Sequence, residues 1–424
     1  MRGWAISAVT NGSPGIIFVN RFYRPDQSAT AQILTDLAEA LAERGWRVSV
    51  ITSRQLYGDA RARLQARETL CGVSVFRIWT SRFGRAGIAG RMVDYLSFYL
   101  SAFVAMLSLV RRDDILVTKT DPPLLSVLGV VAARLRGARS VTWLQDLYPE
   151  VAGELGIKAL RGRFGTVLRK LRNWSLEGSG LNVVIGERMA ERLAAEGISP
   201  SRIAVMPNWS DDEMIRPLSR EACTLRHEWG IGDRFVVAYS GNLGRAHEAE
   251  TMLGAARRLR ARKDILFLMI GAGHGSDPLS AVAAREQLDN ILFRPFQPRE
   301  RLADSLAVGD IHWLSLRPEL EGLIVPSKFY GIAAAGRPIV AVTDADGEIA
   351  RLVRAAGCGE VVAPGDSARL TAVIESYAGD RVRCARDGAA ARAMIEQHYR
   401  RRATIASWDR LLAGPAAASQ STVH

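Results

Sequence analysis

Apolar runs alternate along the chain with stretches in which apolar positions recur every three or four residues, and this alternation starts twice. Gly15 to Asn20 (GIIFVN) is a short apolar run, the pattern of a parallel strand buried on both faces. A polar loop follows over Arg21 to Thr30. Then Ile33, Leu34, Leu37 and Leu41 fall on one side of a helix predicted over Ala31 to Arg44. Gly45 stops that helix, and Trp46 to Thr52 (WRVSVIT) is the next strand. Further strands are predicted at Val73 to Trp79, Ile115 to Lys119, Ser140 to Leu144 and Asn182 to Ile185. Past Pro207-Asn208 the pattern restarts with the strand Phe235 to Ser240 (FVVAYS), the helix Glu248 to Arg262 and the strand Ile265 to Ile270 (ILFLMI). Later strands read at Ile291 to Arg294, Ile311 to Leu316, Pro338 to Val342 and Gly359 to Val362. Strands alternating with helices predict an α/β protein of two Rossmann-like, doubly wound domains. The expected boundaries are 1–207 and 208–395, then a C-terminal helix over 396–413 and a loose tail over 414–424.

Two segments depart from the pattern. Tyr95 to Val110 has 16 residues without a charge, between Asp94 and Arg111-Arg112. A membrane span needs about 20 apolar residues, so the expectation is a helix buried in or against the first domain, and the alternative is one that also dips into a bilayer surface. Lys158 to Trp174 carries six basic residues among Leu160, Phe164, Leu168, Leu171 and Trp174. Such a basic amphipathic stretch is either a solvated face or a surface that lies on anionic lipid. Together the two segments admit peripheral membrane contact.

The 424-residue length exceeds what one hydrophobic core fills, and 48% hydrophobic with 24% charged residues is a globular composition. The net charge is +12, carried mainly by arginine, since Lys119, Lys158, Lys170, Lys263 and Lys328 are the only lysines. That balance suits a phosphate-bearing ligand or an acidic bilayer, besides reflecting coding bias. It comes without the interleaved aromatic and arginine pattern of a nucleic-acid module, so no nucleic-acid partner is expected. Cys71, Cys223, Cys358 and Cys384 are scattered, with no close pair for a zinc site or redox motif, and read as reduced thiols. No signal peptide is expected from the first residues, and the protein is expected in the cytoplasm, with the inner face of the cytoplasmic membrane as the alternative.

Three segments carry candidate chemistry. Tyr239 to Arg245 (YSGNLGR) stands where a strand gives way to a helix. There Gly241 and Gly244 let the backbone approach a phosphate, and Arg245 offers a cation able to hold two phosphate oxygens. A plain tight turn is the competing reading. In Glu319 to Pro338 (ELEGLIVPSKFYGIAAAGRP), the Glu321 carboxylate suits vicinal sugar hydroxyls, Ser327 opens a helix of small residues, and Lys328 suits a diphosphate. A structural helix packed by alanines is the alternative. Trp143 to Glu150 (WLQDLYPE) ends a first-domain strand, the edge where open sheets bind ligands. Asp146 there is a candidate base or hydroxyl anchor, or else a helix N-cap. Gly271 and Gly273, in Ile270 to Gly273, form a second strand-end glycine turn expected to line the nucleotide pocket.

These segments, in their order, resemble the family 4 glycosyltransferases of bacterial surface polysaccharide synthesis, which are retaining enzymes with the GT-B fold. The resemblance rests on FVNRFYRPDQSATAQ, WLQDLYPE, VMPNWSD, YSGNLGRAHEAETML, MIGAGHG and LIVPSKFYGIAAAGRPIVA, from about Phe18 to about Val342. It is most similar to the fucosyltransferase-like subgroup. The resemblance implies two domains facing across a cleft, with a nucleotide-sugar donor held by Gly241, Asn242, Gly244 and Arg245, with Lys328 as the second cation. It implies a saccharide or lipid-linked saccharide acceptor on the first domain, with Asp146 orienting its hydroxyl, and a helix containing His398 to Leu412 that returns to the first domain. No metal or other cofactor is expected. Three departures stand out: Gly331 occupies the place of the family's second glutamate, Glu250 the place of a lysine, and Asp26 to Ala29 the place of a Gly-Gly loop. The competing functions are a non-catalytic relative acting as a membrane-associated scaffold, and a nicotinamide-dependent dehydrogenase. The latter lacks its glycine fingerprint, since the first turn reads NRFYRPDQS.

Overall fold

The computed structural model describes residues 14–414 apart from 60, 84–86 and 274. The absence of a signal peptide read over 1–13, the tail past Gly414 and His274 of MIGAGHG lie outside the described residues. The chain divides into two compact units. Of the described residues, the first holds those up to Ile185, Ala190–Met206 and those from Ile405 on, and the second holds Gly186–Met189 and Pro207–Thr404.

The first unit is built on β1 (Ile16–Val19), β2 (Val48–Ser53), β3 (Arg67–Leu70), β4 (Val73–Ile78), β5 (Ile115–Lys119), β6 (Arg139–Leu144), β7 (Leu181–Val184) and β8 (Ile203–Val205). Their order across the sheet is β3-β4-β2-β1-β5-β6-β7-β8. The order reverses direction at β1, the switch that places helices on both faces of a doubly wound sheet. Every neighbouring pair is parallel except β3 with β4, an antiparallel hairpin closed by Cys71 and Gly72 at φ 47° and 81°. Two left-handed central residues are what a tight two-residue hairpin turn requires. The sequence reading has no β3, because RETL is polar and mostly outward-facing, without an apolar side to betray it.

Around this sheet lie α1 (Ala29–Glu43), α2 (Ile88–Leu109), α3 (Leu125–Arg136), α4 (Glu150–Glu154), α5 (Arg163–Gly178) and α6 (Glu187–Ala195). The buried residues of α1, among them Leu34, Leu37 and Leu41, fall at the predicted helical spacing. Helix α2 corrects the reading of Tyr95 to Val110. It starts at Ile88 and takes in Asp94, whose carboxylate is buried and accepts hydrogen bonds from Ser81 Oγ at 2.6 Å and Phe83 N at 3.1 Å. The charge that looked like a boundary is an internal anchor. Nor is α2 buried all round: Phe98, Ala102 and Met106 pack into the core with Ile17, Val19 and Leu116, while Met92, Leu96, Leu100 and Val104 are exposed. The basic stretch Lys158 to Trp174 divides at Gly162 into a single 3₁₀ turn, Lys158–Arg161, and helix α5.

The second unit has six strands, β9 (Phe235–Ser240), β10 (Ile265–Ile270), β11 (Ile291–Arg294), β12 (Ile311–Ser315), β13 (Ile339–Val342) and β14 (Gly359–Val362). They form a sheet of order β11-β10-β9-β12-β13-β14 with every pair parallel. Its helices are α7 (Thr224–Glu228), α8 (Glu250–Arg258), α9 (Ser276–Arg285), α10 (Leu302–Ala307), α11 (Lys328–Ala334), α12 (Glu348–Ala356), α13 (Ser367–Gly379) and α14 (Arg381–His398). Helix α8 is shorter than the predicted Glu248 to Arg262 and does not follow directly on the glycine turn. His247 and Glu248 are held instead on β12, by Ser315 O at 2.6 Å from His247 Nδ1 and by Glu248 N donating to Ser315 Oγ at 3.0 Å.

The last helix of the described residues is α15 (Arg401–Ala413), separated from α14 by a break at Tyr399-Arg400. Its later residues complete the first unit. Trp408 is fully buried with its ring centroid 4.6 Å from that of Trp143, and Asp409 accepts a hydrogen bond from Trp46 Nε1 at 2.7 Å.

Candidate functional site

In the second unit β9 and β10 pair in register, Ser240 opposite Ile270, so the glycine that follows each strand comes out beside the other. Gly241 and Gly271 have φ of 130° and 131°, and Gly273 has 144°. The two turns are zipped together by Gly241 N donating to Ile270 O (2.9 Å), Leu243 N to Ala272 O (3.0 Å) and Gly275 N to Leu243 O (2.8 Å). A Cβ on Gly271 would stand 2.4 Å from Gly241 O, and one on Gly273 would stand 2.3 Å from Asn242 Oδ1 and 2.6 Å from Leu243 O. Those contacts involve backbone that cannot give way, so only glycine fits. Leu243 is buried beneath the turn, while Asn242 and Arg245 are exposed above it.

Lys328, first residue of α11, reaches this turn from the neighbouring strand end. Its Nζ lies 3.9 Å from the centroid of the Tyr239 ring, donates to the Tyr239 hydroxyl and to Asn242 O (3.3 Å), and is 3.5 Å from His247 Nε2. None of these partners is a carboxylate, and Lys328 has no ion pair among the described residues. Burial pulls its ammonium down to about 7. His247 falls to about 3, first from burial and then from the nearby Lys328 cation. Because Nδ1 faces the Ser315 carbonyl at 2.6 Å, the hydrogen-bond pattern assigns the proton to Nδ1 and leaves Nε2 to accept from Lys328. The result is a cation cradled by neutral groups under a backbone that a ligand can approach closely.

Arg245 has no hydrogen-bond or ion-pair partner among the described residues and extends into solvent. Ser327 is exposed beside Lys328 and makes no side-chain cap on α11. Glu321 is engaged elsewhere: its carboxylate accepts from the Thr343 hydroxyl and from Glu348 N (3.2 Å), the first amide of α12. Burial raises its pKa, with the Thr343 hydrogen bond working against the rise. A Cβ on Gly347 would come within 2.2 Å of that carboxylate. The place of the missing second glutamate, Gly331, is open. A Cβ there would meet Leu306 Cδ1 at 3.7 Å and Ser210 Oγ at 3.8 Å, ordinary contact distances. Glu250 is exposed in the first turn of α8, 4.0 Å from Arg257.

Asp146 belongs to the first unit, at the C-terminal end of β6. It is not a helix N-cap, since the residue capping α4 is Pro149. Its neighbour at the end of β5 is Lys119, fully buried, with Nζ 3.8 Å from the centroid of the Trp143 ring and donating to Thr30 O at 3.0 Å. Burial lowers Lys119 to about 7 against the pull of Asp121 and Asp146. Burial raises Asp146 to about 6, Asp121 adding to the rise and Lys119 opposing it. A small cavity lined by Lys119, Thr142, Asp146, Tyr148 and Arg172 lies between the two strand ends.

Sequence reading missed Tyr239, His247 and Lys119. The first two sit inside the motif YSGNLGRAH and could have been found by asking which polar groups at a strand end would surround Lys328. Lys119 could have been found as the single charge closing an otherwise apolar strand, ILVTK.

Comparison with known proteins agrees with this architecture. Residues 28–209 match the family described as glycosyl transferase 4-like domain, and residues 234–380 match glycosyl transferases group 1. The Escherichia coli (strain K12) protein WcaI, named as a colanic acid biosynthesis glycosyl transferase, is 26% identical over 343 residues, covering 78% of this chain and 83% of WcaI. Among solved structures, sucrose-phosphate synthase from Thermosynechococcus elongatus superposes with a TM-score of 0.77 at 16% identity, covering 96% of this chain and 100% of that one. Anabaena Alr3699/HepE in complex with UDP has a TM-score of 0.70 at 16% identity, covering 94% and 99% of the two chains. The fold is GT-B, two Rossmann-like α/β units, and with both family matches spanning most of its length the chain belongs to the glycosyltransferases, a glycosyl transferase 4-like domain followed by a glycosyl transferases group 1 domain.

Proposed function

We propose that this enzyme moves a sugar from a UDP- or GDP-linked donor to a saccharide acceptor, lipid-linked, at the inner face of the cytoplasmic membrane during cell-surface polysaccharide synthesis, with retention of configuration. One observation carries the donor assignment: the Lys328 ammonium is surrounded by Tyr239, Asn242 O and His247 with no carboxylate to balance it, beneath a glycine turn open to a ligand. A half-buried cation without an internal anion is stabilised by an external one, and a diphosphate supplies it. The UDP and UDP-glucose complexes of HepE and the colanic acid name of WcaI support the same reading. The VPSK segment supports the fucosyltransferase-like subgroup.

In this proposal Gly241, Asn242, Gly244, Gly271 and Gly273 line the donor phosphates, and Arg245 closes over them as the second cation. Ser327 flanks the donor sugar, and Glu321, whose carboxylate is held by Thr343 and Glu348 N, fixes the loop beside it. The glycosidic bond to the nucleoside diphosphate breaks as the acceptor oxygen bonds to the same face of the anomeric carbon. The departing phosphate takes the acceptor's proton while Lys328 and Arg245 hold its charge. Asp146 orients the acceptor hydroxyl in the first unit. The two cations do the work a metal ion does elsewhere, so the proposal needs no cofactor.

Thermal stabilisation by UDP, GDP, ADP and dTDP and their sugars tests the donor site. A rise with one nucleotide, abolished by Lys328→Ala and weakened by Arg245→Ala in folded protein, is the expected result. No rise with any of them, or wild-type turnover in both variants, would overturn it.

A further inference from the structure

The exposed side of α2 is a large surface feature that neither the fold nor the donor site uses. By length and composition Ala89–Leu109 could cross a membrane. Its packing argues against crossing. Phe98, Ala102 and Met106 are sealed into the core of the first unit, and the Asp94 carboxylate is tied to Ser81 and Phe83 N. Pulling α2 out to span a bilayer would open that core and strip a buried carboxylate of its partners. Yet the opposite side carries Met92, Leu96, Leu100 and Val104, four apolar side chains one turn apart, all more than half exposed. From Tyr95 to Leu109 the helix has no charge.

This stripe does not stand alone. Helix α3 packs against α2 on one side and α5 on the other, so the three helices share one side of the sheet. On α5, Phe164, Val167 and Leu171 are exposed, interleaved with Arg163, Arg169 and Lys170, and Glu177 is the only acidic residue of that helix. Leu135 of α3 is exposed between Arg134 and Arg136, and Arg111-Arg112 follow the end of α2. Apolar stripes rimmed by cations are what an interface-lying element presents to lipid: side chains enter the acyl boundary while arginine and lysine meet the phosphates. A protein partner would need acidic groups around a matching apolar ridge, whereas an anionic bilayer supplies both over any area.

We infer that the α2–α3–α5 side of the first unit docks flat on an anionic lipid bilayer, with α2 half-inserted and parallel to its plane. The inference names the surface by which the proposed lipid-linked acceptor would be met, and its physical basis is independent of the donor site.

Flotation of the whole protein with vesicles tests it. Wild-type protein is expected to float with vesicles of equal parts phosphatidylcholine and phosphatidylglycerol and far less with phosphatidylcholine alone. Leu96→Glu/Leu100→Glu should lower partitioning roughly a hundredfold or more, since two apolar side chains lose their burial. Arg163→Glu/Lys170→Glu should remove the preference for anionic lipid. Both variants should keep the wild-type circular dichroism melt. Wild-type protein that does not float, or that floats equally well with the leucines replaced, would overturn the inference. So would a dimer in light scattering that Leu96→Glu/Leu100→Glu converts to monomer, which would give the surface to a second copy. Resistance to alkaline carbonate would show a spanning helix and also overturn it. Nucleotide stabilisation measured on the same variants keeps the two proposals apart. Its loss in protein that still floats counts against the donor site alone.

Discussion

Lys328 Nζ lies 3.5 Å from Nε2 of His247; burial moves both groups away from their ordinary protonation, and the lysine's charge lowers the histidine further. The lysine titrates near 7 instead of 10.5, and the histidine stays neutral until about 3. A diphosphate bound to Lys328 requires the ammonium. Nucleotide affinity is therefore expected to be flat below pH 7 and to weaken above it, by up to about tenfold per pH unit. The unliganded fold moves the other way. A lysine whose folded pKa is depressed leaves the folded state with fewer protons than the unfolded one between 7 and 10.5, so this group's contribution makes stability rise with pH across that window. Calorimetric titration with the nucleoside diphosphate from pH 7.5 to 9, where its own phosphates are almost fully ionised, reads the first effect. Lys328→Met should bind weakly and show no such slope.

If Arg245 and Lys328 carry the charge of the leaving group, chelation should not matter. Turnover is expected to be unchanged after dialysis against EDTA, measured as nucleotide released. A loss that magnesium or manganese restores would assign the leaving-group charge to a metal ion.

Two glycine substitutions should have opposite signs. Gly273→Ala places a Cβ against Leu243 O and Asn242 in a left-handed region, and is expected to cost roughly 2 kcal/mol or more along with nucleotide affinity. Gly331→Ala, inside α11 with ordinary contact distances around the new carbon, should stabilise by about 0.5–1 kcal/mol. Urea denaturation of the two variants gives both numbers.

His312 is buried on β12 with Nε2 2.8 Å from Leu306 O, and burial lowers it to about 4. A histidine depressed in the folded state is charged first in the unfolded chain. It therefore costs stability as pH falls from 6.5 towards 4, by up to about 1.4 kcal/mol per pH unit. Asp146, raised to about 6, works in the opposite direction between 3.8 and 6. The informative measurement is the stability difference between wild type and His312→Gln. That difference should shrink as pH falls through this window.

Trp408→Ala removes a fully buried ring from against Trp143 and is expected to cost about 3–5 kcal/mol. Asp409→Asn, which weakens a partly exposed ion pair with Arg44, should cost under about 1 kcal/mol. Denaturant midpoints of the two variants separate packing from charge at this helix.

Much of this was legible in the sequence because parallel strands buried on both faces are apolar throughout. FVVAYS and ILFLMI could be placed within a residue of their observed bounds. The paired glycine turns were legible because each closes an apolar strand, Gly241 after FVVAYS and Gly271 after ILFLMI. What escaped depended on partners distant in the chain. Strand β3 has no apolar side to announce it, and Asp94 looked like the end of a helix because its buried partners, Ser81 and Phe83, belong to another segment. Glu321 looked available until Thr343 and the start of α12 were seen to occupy it. His247 carried no periodic signal at all. Its role comes from Ser315 on one side of the ring and Lys328 on the other.

The return of residues beyond Ile405 to the first unit has a consequence for how the protein is made. On the ribosome the first sheet emerges before any of the second, but Trp143 waits for Trp408 until the second sheet has been translated. The first unit therefore keeps an open seam beside Trp46 and Trp143 while the second sheet is being made. A chain truncated after Thr404 and released from the ribosome should carry a protease-resistant second unit and a vulnerable first one, the reverse of their order of birth.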